Sequence, residues 1–286
     1  MSYMLVDLNQ VLISNLMQHL KFVTKKDELN EQLVRHMAVN TIRSNVKQFK
    51  SKYPNVILCC DSKRYWRREY FPFYKSQRKH DREASGYDWG MIFETLNRIR
   101  DEFKTSFPYK VLDVEGAEAD DIIAVLTARL SPHGNILILS SDKDFGQLQK
   151  YPNVTQYSPI LKRFIVIDNP KVFIKEHIIK GDRGDGIPNF LSADNTFAAG
   201  ERQKVINSKK LQEWIGQDAT QFCTTDTMLR GFTRNQTLVD FDYIPDNIQK
   251  QIVNAFDDFK PATKEKMLNY FIEKGLKVMI ESVNDF

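Results

Sequence analysis

The sequence predicts an α/β fold with a mostly parallel central sheet flanked by helices, followed by a helical C-terminal region. Two observations predict it. In the first half of the 286 residues, short apolar runs of strand length alternate with segments long enough for helices, which is the pattern of a parallel sheet. After about Asn169 these runs give way to helical apolar spacing. The chain therefore divides into an α/β part and a helical part.

The elements follow in order along the chain. The predicted strands are Tyr3–Val6, Val56–Cys60, Lys110–Val114 and Asn135–Leu139. Apolar residues recur at helical spacing from Leu29 to Phe49 and again from Ala119 to Leu130, which predicts helices between the strands. In the second half, Pro170 opens a helix that ends at the loop Gly181–Gly186, and Leu238–Phe241 is the one further candidate strand.

The composition excludes several classes of protein. Apolar residues make up 42% and charged residues 27% of the chain, the balance of a soluble globular protein. No apolar run approaches the roughly 20 residues that cross a bilayer, so we expect no membrane partner and a cytoplasmic protein. The three cysteines, two of them adjacent, do not form a disulfide framework. They include no CxxC pair, which argues against a structural zinc site. The net charge of +4 is too small to identify a partner.

Acidic residues follow the predicted strands at the points where they end. Because the carboxyl ends of parallel strands meet at one edge of a sheet, we expect these side chains to share one crevice. In chain order they are Asp7, Asp61, Glu118, Asp120, Asp142 and Asp144, with Asp182 and Asp185 able to join them from the next loop. Any one of them could simply cap a helix, so the inference depends on the whole set.

Such a set of carboxylates needs cations. Two carboxylates about 4 Å apart repel by roughly 4 kcal/mol at an effective dielectric near 20. Oxygen ligands without histidine or cysteine select hard ions, Mg²⁺ or Mn²⁺. Six to eight acids are too many for one ion, and two ions about 3.5–4 Å apart are typical of in-line displacement at a phosphodiester. The sequence therefore predicts a two-metal phosphodiesterase centre.

A basic and aromatic segment follows Asp61 directly. From Lys63 to Arg82 there are eight Lys or Arg, two acids and six aromatic residues. Cations neutralise phosphates and aromatic rings stack on bases, so we expect nucleic-acid binding. The alternative is a solvated charged helix with some aromatics in the core. The candidate nucleic-acid contacts are Arg64, Tyr65, Arg67, Arg68, Tyr74, Lys75, Arg78, Lys79 and Arg82, with Lys204 further along the chain.

Other catalytic patterns are absent from the sequence. There is no GxxxxGK[ST] segment that would cradle a phosphate. The five histidines lack HExxH spacing, and each is predicted to be a surface or packing residue rather than a ligand: His19, His36, His80, His133 and His177.

The motifs resemble those of the 5′ nuclease superfamily, which has a PIN-like fold and includes flap endonucleases and the 5′ nuclease domain of bacterial DNA polymerases. They occur in the typical order: Asp7, Asp61, Tyr74-Lys75-x-x-Arg78, Glu118-Ala119-Asp120-Asp121, Ser141-Asp142-Lys143-Asp144 and Gly181-Asp182-x-x-Asp185. Within the superfamily the chain is most similar to the ribonuclease H branch of T-even bacteriophages, which are 5′-to-3′ exonucleases and flap endonucleases. Trp66-Arg67-Arg68 and Leu238–Ile248 carry that closer resemblance.

The resemblance implies roles for these residues. The first magnesium ion would be held by Asp7, Asp61, Asp120 and Asp142, with Glu118 close by. The second would be held by Asp144, Asp182 and Asp185, directly or through water. Lys75 and Arg78 would lie in a helical arch, at about residues 63–90, and steer the scissile phosphate. With the five aspartates Asp7, Asp61, Asp120, Asp142 and Asp144 they form the implied catalytic set. The implied domains are an α/β nuclease domain over residues 1–186 and a duplex-binding helical region over residues 187–286.

One segment departs from the family pattern. Relatives continue from Ile-Pro into Gly-Val-x-Gly-Ile-Gly, which grips duplex DNA and often a potassium ion, whereas here Ile187-Pro188 leads into Asn189-Phe190-Leu191. Because glycine allows the close backbone approach that a phosphate contact needs, we expect a different grip and no potassium site. Lys204, Lys209 and Lys210 are the candidate phosphate contacts in this part of the chain.

The expected function is a magnesium-dependent, structure-specific 5′-to-3′ nuclease, with Mn²⁺ able to substitute. Its substrates would be nicked, flapped or RNA-primed duplex DNA, and its role the removal of RNA primers and 5′ flaps in replication. We expect a monomer, with a single-strand-binding protein or a sliding clamp as candidate partners, in the host cytoplasm if the protein is phage-encoded. Two alternatives stay open: a metal-dependent single-strand endoribonuclease and a non-catalytic protein that binds branched DNA.

Overall fold

A computed structural model describes residues 1–20 and 30–286, apart from the side chains of residues 79–81. Six strands form one sheet in the order β3-β2-β1-β4-β5-β6. The strands are β1 (Ser2–Asp7), β2 (Asn55–Cys60), β3 (Lys110–Asp113), β4 (Asn135–Leu139), β5 (Val154–Ser158) and β6 (Arg163–Ile165). The first five run parallel, and β6 is antiparallel to β5. The four predicted strands and the mostly parallel sheet are confirmed.

Thirteen α-helices surround this sheet in the described part of the chain. Before residue 170 they are α1 (Leu8–Leu20), α2 (Glu31–Phe49), α3 (Trp66–Tyr70), α4 (Gln77–Ser85), α5 (Trp89–Ser106) and α6 (Ala119–Leu130). After it come α7 (Pro170–Lys180), α8 (Ser208–Ile215), α9 (Ala219–Phe222), α10 (Asp226–Val239), α11 (Asp246–Asp258), α12 (Lys264–Glu273) and α13 (Lys277–Glu281). Leu29, where the second helix was predicted to start, lies outside the described residues.

The structure adds two strands and removes one. The sequence analysis missed β5 and β6, because β5 buries the polar residues Gln156 and Ser158 and β6 is a largely exposed edge strand. The candidate strand Leu238–Phe241 is wrong, since α10 continues to Val239 and a 3₁₀ turn starts at Phe241. These residues are apolar because they are buried where α10 ends, not because they pair in a sheet.

Alternation along the strands divides the core between the two faces of the sheet. Met4 and Val6 of β1 pack into the cluster formed by α1, α2 and α5, whereas Leu5 packs into the cluster formed by α6 and α11. Both faces are covered by helices, which explains why the parallel strands are nearly continuous apolar runs.

The C-terminal helices share the core of the sheet. The Phe107 ring lies 5.5–5.9 Å from the rings of Tyr270, Phe271 and Phe286. A smaller apolar cluster joins α7, α8 and α10. The packing around Phe107 ties residues 264–286 to the sheet. The domain boundary at residue 186 stays a prediction. In the described residues, no helix is both long and apolar enough to span a bilayer.

Truncation of Phe271 tests this shared core. Phe271 is fully buried and its neighbour Ile272 is 59% exposed. We expect Phe271→Ala to lower the free energy of unfolding by about 3–5 kcal/mol, because it removes apolar contacts and leaves a cavity. Ile272→Ala, the matched control, should change it by less than about 0.5 kcal/mol. Urea unfolding of both variants measures this, and equal effects would show that the C-terminal helices do not share the core.

Candidate metal centre

The acids of β1, β2 and β4 converge at the carboxyl-terminal edge of the sheet. Asp7 accepts hydrogen bonds from the backbone N–H of Gln10 (3.1 Å) and the hydroxyl of Ser140 (3.1 Å). The same Ser140 hydroxyl accepts from the backbone N–H of Asp142 (3.1 Å), which links the ends of β1 and β4. On the other side, Asp61 accepts from the N–H of Ala119 (2.8 Å) and so holds the start of α6 against β2.

These carboxylates raise one another's pKa values. Burial, followed by the charge of Asp61, raises the pKa of Asp7 to about 7. Burial also raises the pKa of Asp120, and the charges of Asp142 and Asp7 add to it. The pKa values of Asp61 and Asp142 are raised as well, mainly by burial. Burial and mutual repulsion thus disfavour the ionised form of these four acids. A hard divalent cation bound to their oxygen atoms would stabilise that form.

A second group of side chains lies beside the first. Ligand atoms of Asp144, His177 and Asp182 fall within 4.8 Å of one another, close enough to hold one metal ion. Burial raises the pKa of Asp144 to about 7. The carboxylate of Asp182 is 3.0 Å from Nε2 of His177 and 2.9 Å from Nζ of Lys143, and these partners outweigh burial and lower its pKa. The residues present thus fit a second cation position.

The sequence analysis did not place His177 in this group. It treated every histidine as a surface or packing residue, whereas His177 is buried between two acids. The available signal was its position five residues before Asp182, in the last turn of α7. Gly181 has a φ of +69°, and a Cβ there would lie 2.4 Å from the carbonyl oxygen of Ile187, so only glycine allows this tight return of the loop onto α7.

Two acids of the predicted metal set contact the base of the predicted arch. Asp185 accepts hydrogen bonds from Arg78 (2.6 Å) and from the Tyr74 hydroxyl (2.9 Å). Glu118 accepts from Nζ of Lys75 (2.5 Å). Lys75 itself has a φ of +54°, and its backbone N–H donates to the Asp185 carbonyl (2.8 Å). A left-handed conformation costs a non-glycine residue about 1 kcal/mol, so these contacts hold the ammonium group at the acids against local strain.

Two predicted nucleic-acid contacts are buried in the protein without substrate. Arg67 and Tyr74 are each 2% exposed. The guanidinium of Arg67 lies 3.0 Å from Glu118 and 2.8 Å from Asp121, two buried carboxylates in the capping turn of α6. The Tyr74 hydroxyl is bound to Glu118 (3.1 Å) and Asp185. Both side chains are bound to buried acids in the protein without substrate, and their contact with nucleic acid stays a prediction.

The other candidate contacts lie on or near the surface. Arg64, Arg68, Arg78 and Lys204 are exposed, and so are Lys209 and Lys210. Tyr65 is half-buried beside the Tyr74 ring, and Arg82 lies over the Phe93 ring with 4.7 Å between the guanidinium carbon and the ring centroid. The side chain of Lys79 lies outside the described residues. The exposed cations therefore remain candidates for phosphate contact.

The segment that lacks the family's glycines is held by side chains. Asn189 donates a hydrogen bond to the carbonyl of Lys204 (2.7 Å), and the Ser192 hydroxyl accepts from the backbone N–H of Lys204 (2.9 Å). The buried guanidinium of Arg234 donates to the carbonyl of Pro188 (2.8 Å). Amide and guanidinium groups thus organise this loop and present Lys204 to solvent.

Comparisons with known proteins show which family this chain resembles over its length. The family model of the 5′-3′ exonuclease N-terminal resolvase-like domain matches residues 2–177, and the model described as T4 RNase H, C terminal, matches residues 168–286. The chain is 37% identical to the ribonuclease H of Enterobacteria phage T4 over 292 residues, which cover 99% of this chain and 95% of that protein.

Solved structures from bacteriophage T5 have a similar fold. The T5 5′-exonuclease with bound zinc gives a TM-score of 0.61 at 19% identity, covering 91% of this chain and 100% of that one. The T5 flap endonuclease in a pseudo-enzyme-product complex with DNA and metal ions gives 0.60 at 20% identity, covering 90% of this chain and 98% of that one. At this identity the similarity concerns the fold, and it supports the mostly parallel sheet with a helical C-terminal region.

Removal of the Arg67 charge tests its role as a buried counter-ion. We expect Arg67→Met to lower the free energy of unfolding by about 3–5 kcal/mol, because Asp121 would be left buried without a cationic partner and Glu118 would keep only Lys75. Arg68→Met, next to it and exposed, should change stability by less than about 0.5 kcal/mol. Denaturant unfolding of the two variants compares them. A similar, small effect of both changes would contradict the buried ion pair.

The pKa of Asp7 predicts a pH-dependent stability in metal-free protein. The folded pKa of about 7 lies above the ordinary aspartate value of 3.8. Between these values the folded state therefore binds more protons than the unfolded state, and stability falls as pH rises through this window. In EDTA, the free energy of unfolding of Asp7→Asn relative to that of the unchanged protein should therefore rise by about 2–4 kcal/mol from pH 4 to pH 8. Unfolding of both proteins at several pH values measures the gap, and a gap that does not vary with pH would contradict the raised pKa.

Proposed function

The chain belongs to the 5′-3′ exonuclease family and is a nuclease, and we propose that it is a magnesium-dependent, structure-specific 5′ nuclease that removes RNA primers and 5′ flaps from duplex DNA during replication. The observation that carries the proposal is the group of buried acids at the sheet edge, whose raised pKa values call for cations. The presence of metal ions in the two T5 structures supports a divalent metal as cofactor.

The proposal assigns the acids to two cation positions. Asp7, Asp61, Asp120 and Asp142 would hold the first ion, with Glu118 beside them, and Asp144 with the Asp182–Asp185 loop would form the second position. When bound, such ions supply activation of water for in-line attack and stabilisation of the leaving 3′ oxygen. Because the 3′ oxygen is the leaving group, the products would carry 5′-phosphate and 3′-hydroxyl ends. The acids themselves would position charge rather than transfer protons.

Lys75 and Arg78 would bring the phosphate backbone to this acidic edge. In the protein without substrate they neutralise Glu118 and Asp185. A phosphate offers both cations an alternative charge-assisted partner, and guanidinium groups suit phosphate oxygens particularly well. The side chain of Arg78 is 44% exposed and can therefore exchange partners first, while that of Lys75, at 12%, is held deeper among the acids. The cations at the arch base would thus attract a substrate that the acids alone would repel.

The proposal extends to partners. The complex of the T5 flap endonuclease with DNA supports DNA as a substrate. We propose that the protein acts as a monomer in the cytoplasm, which is that of the host if the protein is phage-encoded. A single-strand-binding protein or a sliding clamp are the candidate partners. Phe286 is buried, and Asp285 pairs with Arg43 and Lys47, so such a partner would need a surface other than the last residues of the chain.

A cleavage assay tests the proposed substrate class. A 5′-labelled RNA–DNA strand is annealed into nicked and flapped duplexes and incubated with Mg²⁺, Mn²⁺ or EDTA. We expect short 5′-phosphorylated products that require the metal and a free 5′ end. Cleavage of single strands without preference for a duplex would favour an endoribonuclease, and binding without cleavage in either metal would favour a non-catalytic scaffold.

Charge removal at each cation position tests the two-metal assignment. Asp120→Asn and Asp144→Asn should each lower the cleavage rate by about 10³-fold or more, because several kcal/mol of charge stabilisation is lost. Asp257→Asn, at a solvent-exposed ion pair with Arg129, is the matched control and should cleave normally. Fluorescence anisotropy with labelled flap DNA should show that all three variants still bind. Near-normal cleavage by Asp144→Asn would contradict a second catalytic metal.

A further inference from the structure

Two buried polar atoms face each other in the second group without a hydrogen-bond partner. They are Nδ1 of His177 and Oδ1 of Asp144, which lie 3.4 Å apart. His177 is only 7% exposed, so bulk solvent does not reach the ring nitrogen. An unpaired buried polar atom is unfavourable, and two that face each other indicate a ligand between them.

The other side of the imidazole is fixed. Nε2 lies 3.0 Å from Oδ2 of Asp182, and the ring packs edge-on against Phe173 with 6.0 Å between the centroids. A histidine that binds a metal through one nitrogen commonly donates the other N–H to a carboxylate, which selects the tautomer and orients the ring. The contact with Asp182 has this form and leaves the lone pair of Nδ1 directed at Asp144.

The distance between the two unpartnered atoms fits a shared cation. Metal–nitrogen and metal–oxygen bonds of about 2.0–2.2 Å place two neighbouring ligand atoms about 2.9–3.5 Å apart. The observed 3.4 Å lies in that range. In contrast, the acids of the first position, Asp7, Asp61, Asp120 and Asp142, offer only oxygen atoms.

We propose that His177 is a nitrogen ligand of the second cation position, together with Asp144, and that Asp182 is a positioning residue that orients the imidazole. This inference rests on the proposed two-metal function and deepens it. Imidazole suits transition metals such as Zn²⁺, Fe²⁺ and Ni²⁺, whereas carboxylates suit Mg²⁺ and Mn²⁺ alike. Of these two ions, Mn²⁺ is the softer and accepts a nitrogen ligand more readily. The second position therefore prefers the transition metal, and the first position accepts Mg²⁺.

Pulsed electron paramagnetic resonance tests the ligand directly. Substoichiometric Mn²⁺ is added to the whole protein in excess Mg²⁺, and nitrogen coupling to the Mn²⁺ is recorded. We expect a ¹⁴N coupling that changes when the histidines are labelled with ¹⁵N, a result that needs no variant to fold. The coupling should vanish in His177→Gln and persist in the matched control His133→Gln, whose side chain is exposed.

Calorimetry with Mn²⁺ or Mg²⁺ alone provides the second readout. His177→Gln should lose about 10–100-fold in Mn²⁺ affinity at one of two positions and little in Mg²⁺ affinity, with an unchanged thermal midpoint in EDTA. Two bound Mn²⁺ without any ¹⁴N coupling would overturn the inference and leave the proposed function standing. Fewer than two bound metal ions, in the presence of flap DNA, would overturn both.

Discussion

Like charges gathered at one edge of the sheet constrain much of the structure around them. The parallel strands deliver Asp7, Asp61 and Asp142 to the same place, and α6 adds Glu118 and Asp120 from its first turn. Burial makes their ionisation costly and their mutual repulsion strong. A fold that accepts this cost requires compensating positive charge, from its own side chains or from bound cations.

The protein provides part of that compensation itself. Arg67 neutralises the two acids of the α6 capping turn, and Lys75 and Arg78 neutralise Glu118 and Asp185. These contacts also connect the segment after β2 to the metal centre, because Asp185 binds both the Lys75 backbone and the Arg78 side chain. The segment after β2 and the loop that carries Asp185 are therefore one electrostatic unit. In the proposed function, a phosphate that displaced one of these cations would release a carboxylate of the metal centre.

The sequence predicts the acid edge well because its logic is local. The four predicted strands are short apolar runs, acids follow each of them within a few residues, and parallel topology brings the strand ends together. The compensating contacts depend on tertiary structure and could not be predicted in the same way. Arg67 lies in a basic segment that is typical of a surface. It is nevertheless buried, because it pairs with Glu118 and Asp121, which are more than fifty residues away in the chain. His177 has no motif of its own, and only the return of the loop at Gly181 brings Asp182 to its ring. Likewise β5 was missed because its buried Gln156 binds backbone carbonyls, a contact that no apolar pattern indicates.

Anomalous diffraction at the manganese edge, from crystals of the protein with Mn²⁺ and a nicked duplex, tests the central claim most directly. The account predicts two peaks about 3.5–4 Å apart at the sheet edge, one beside Asp7 and Asp120 and the other beside Asp144 and His177. A single peak, or two peaks away from these side chains, with the duplex bound, would contradict the claim that the buried acids form a two-metal nuclease centre.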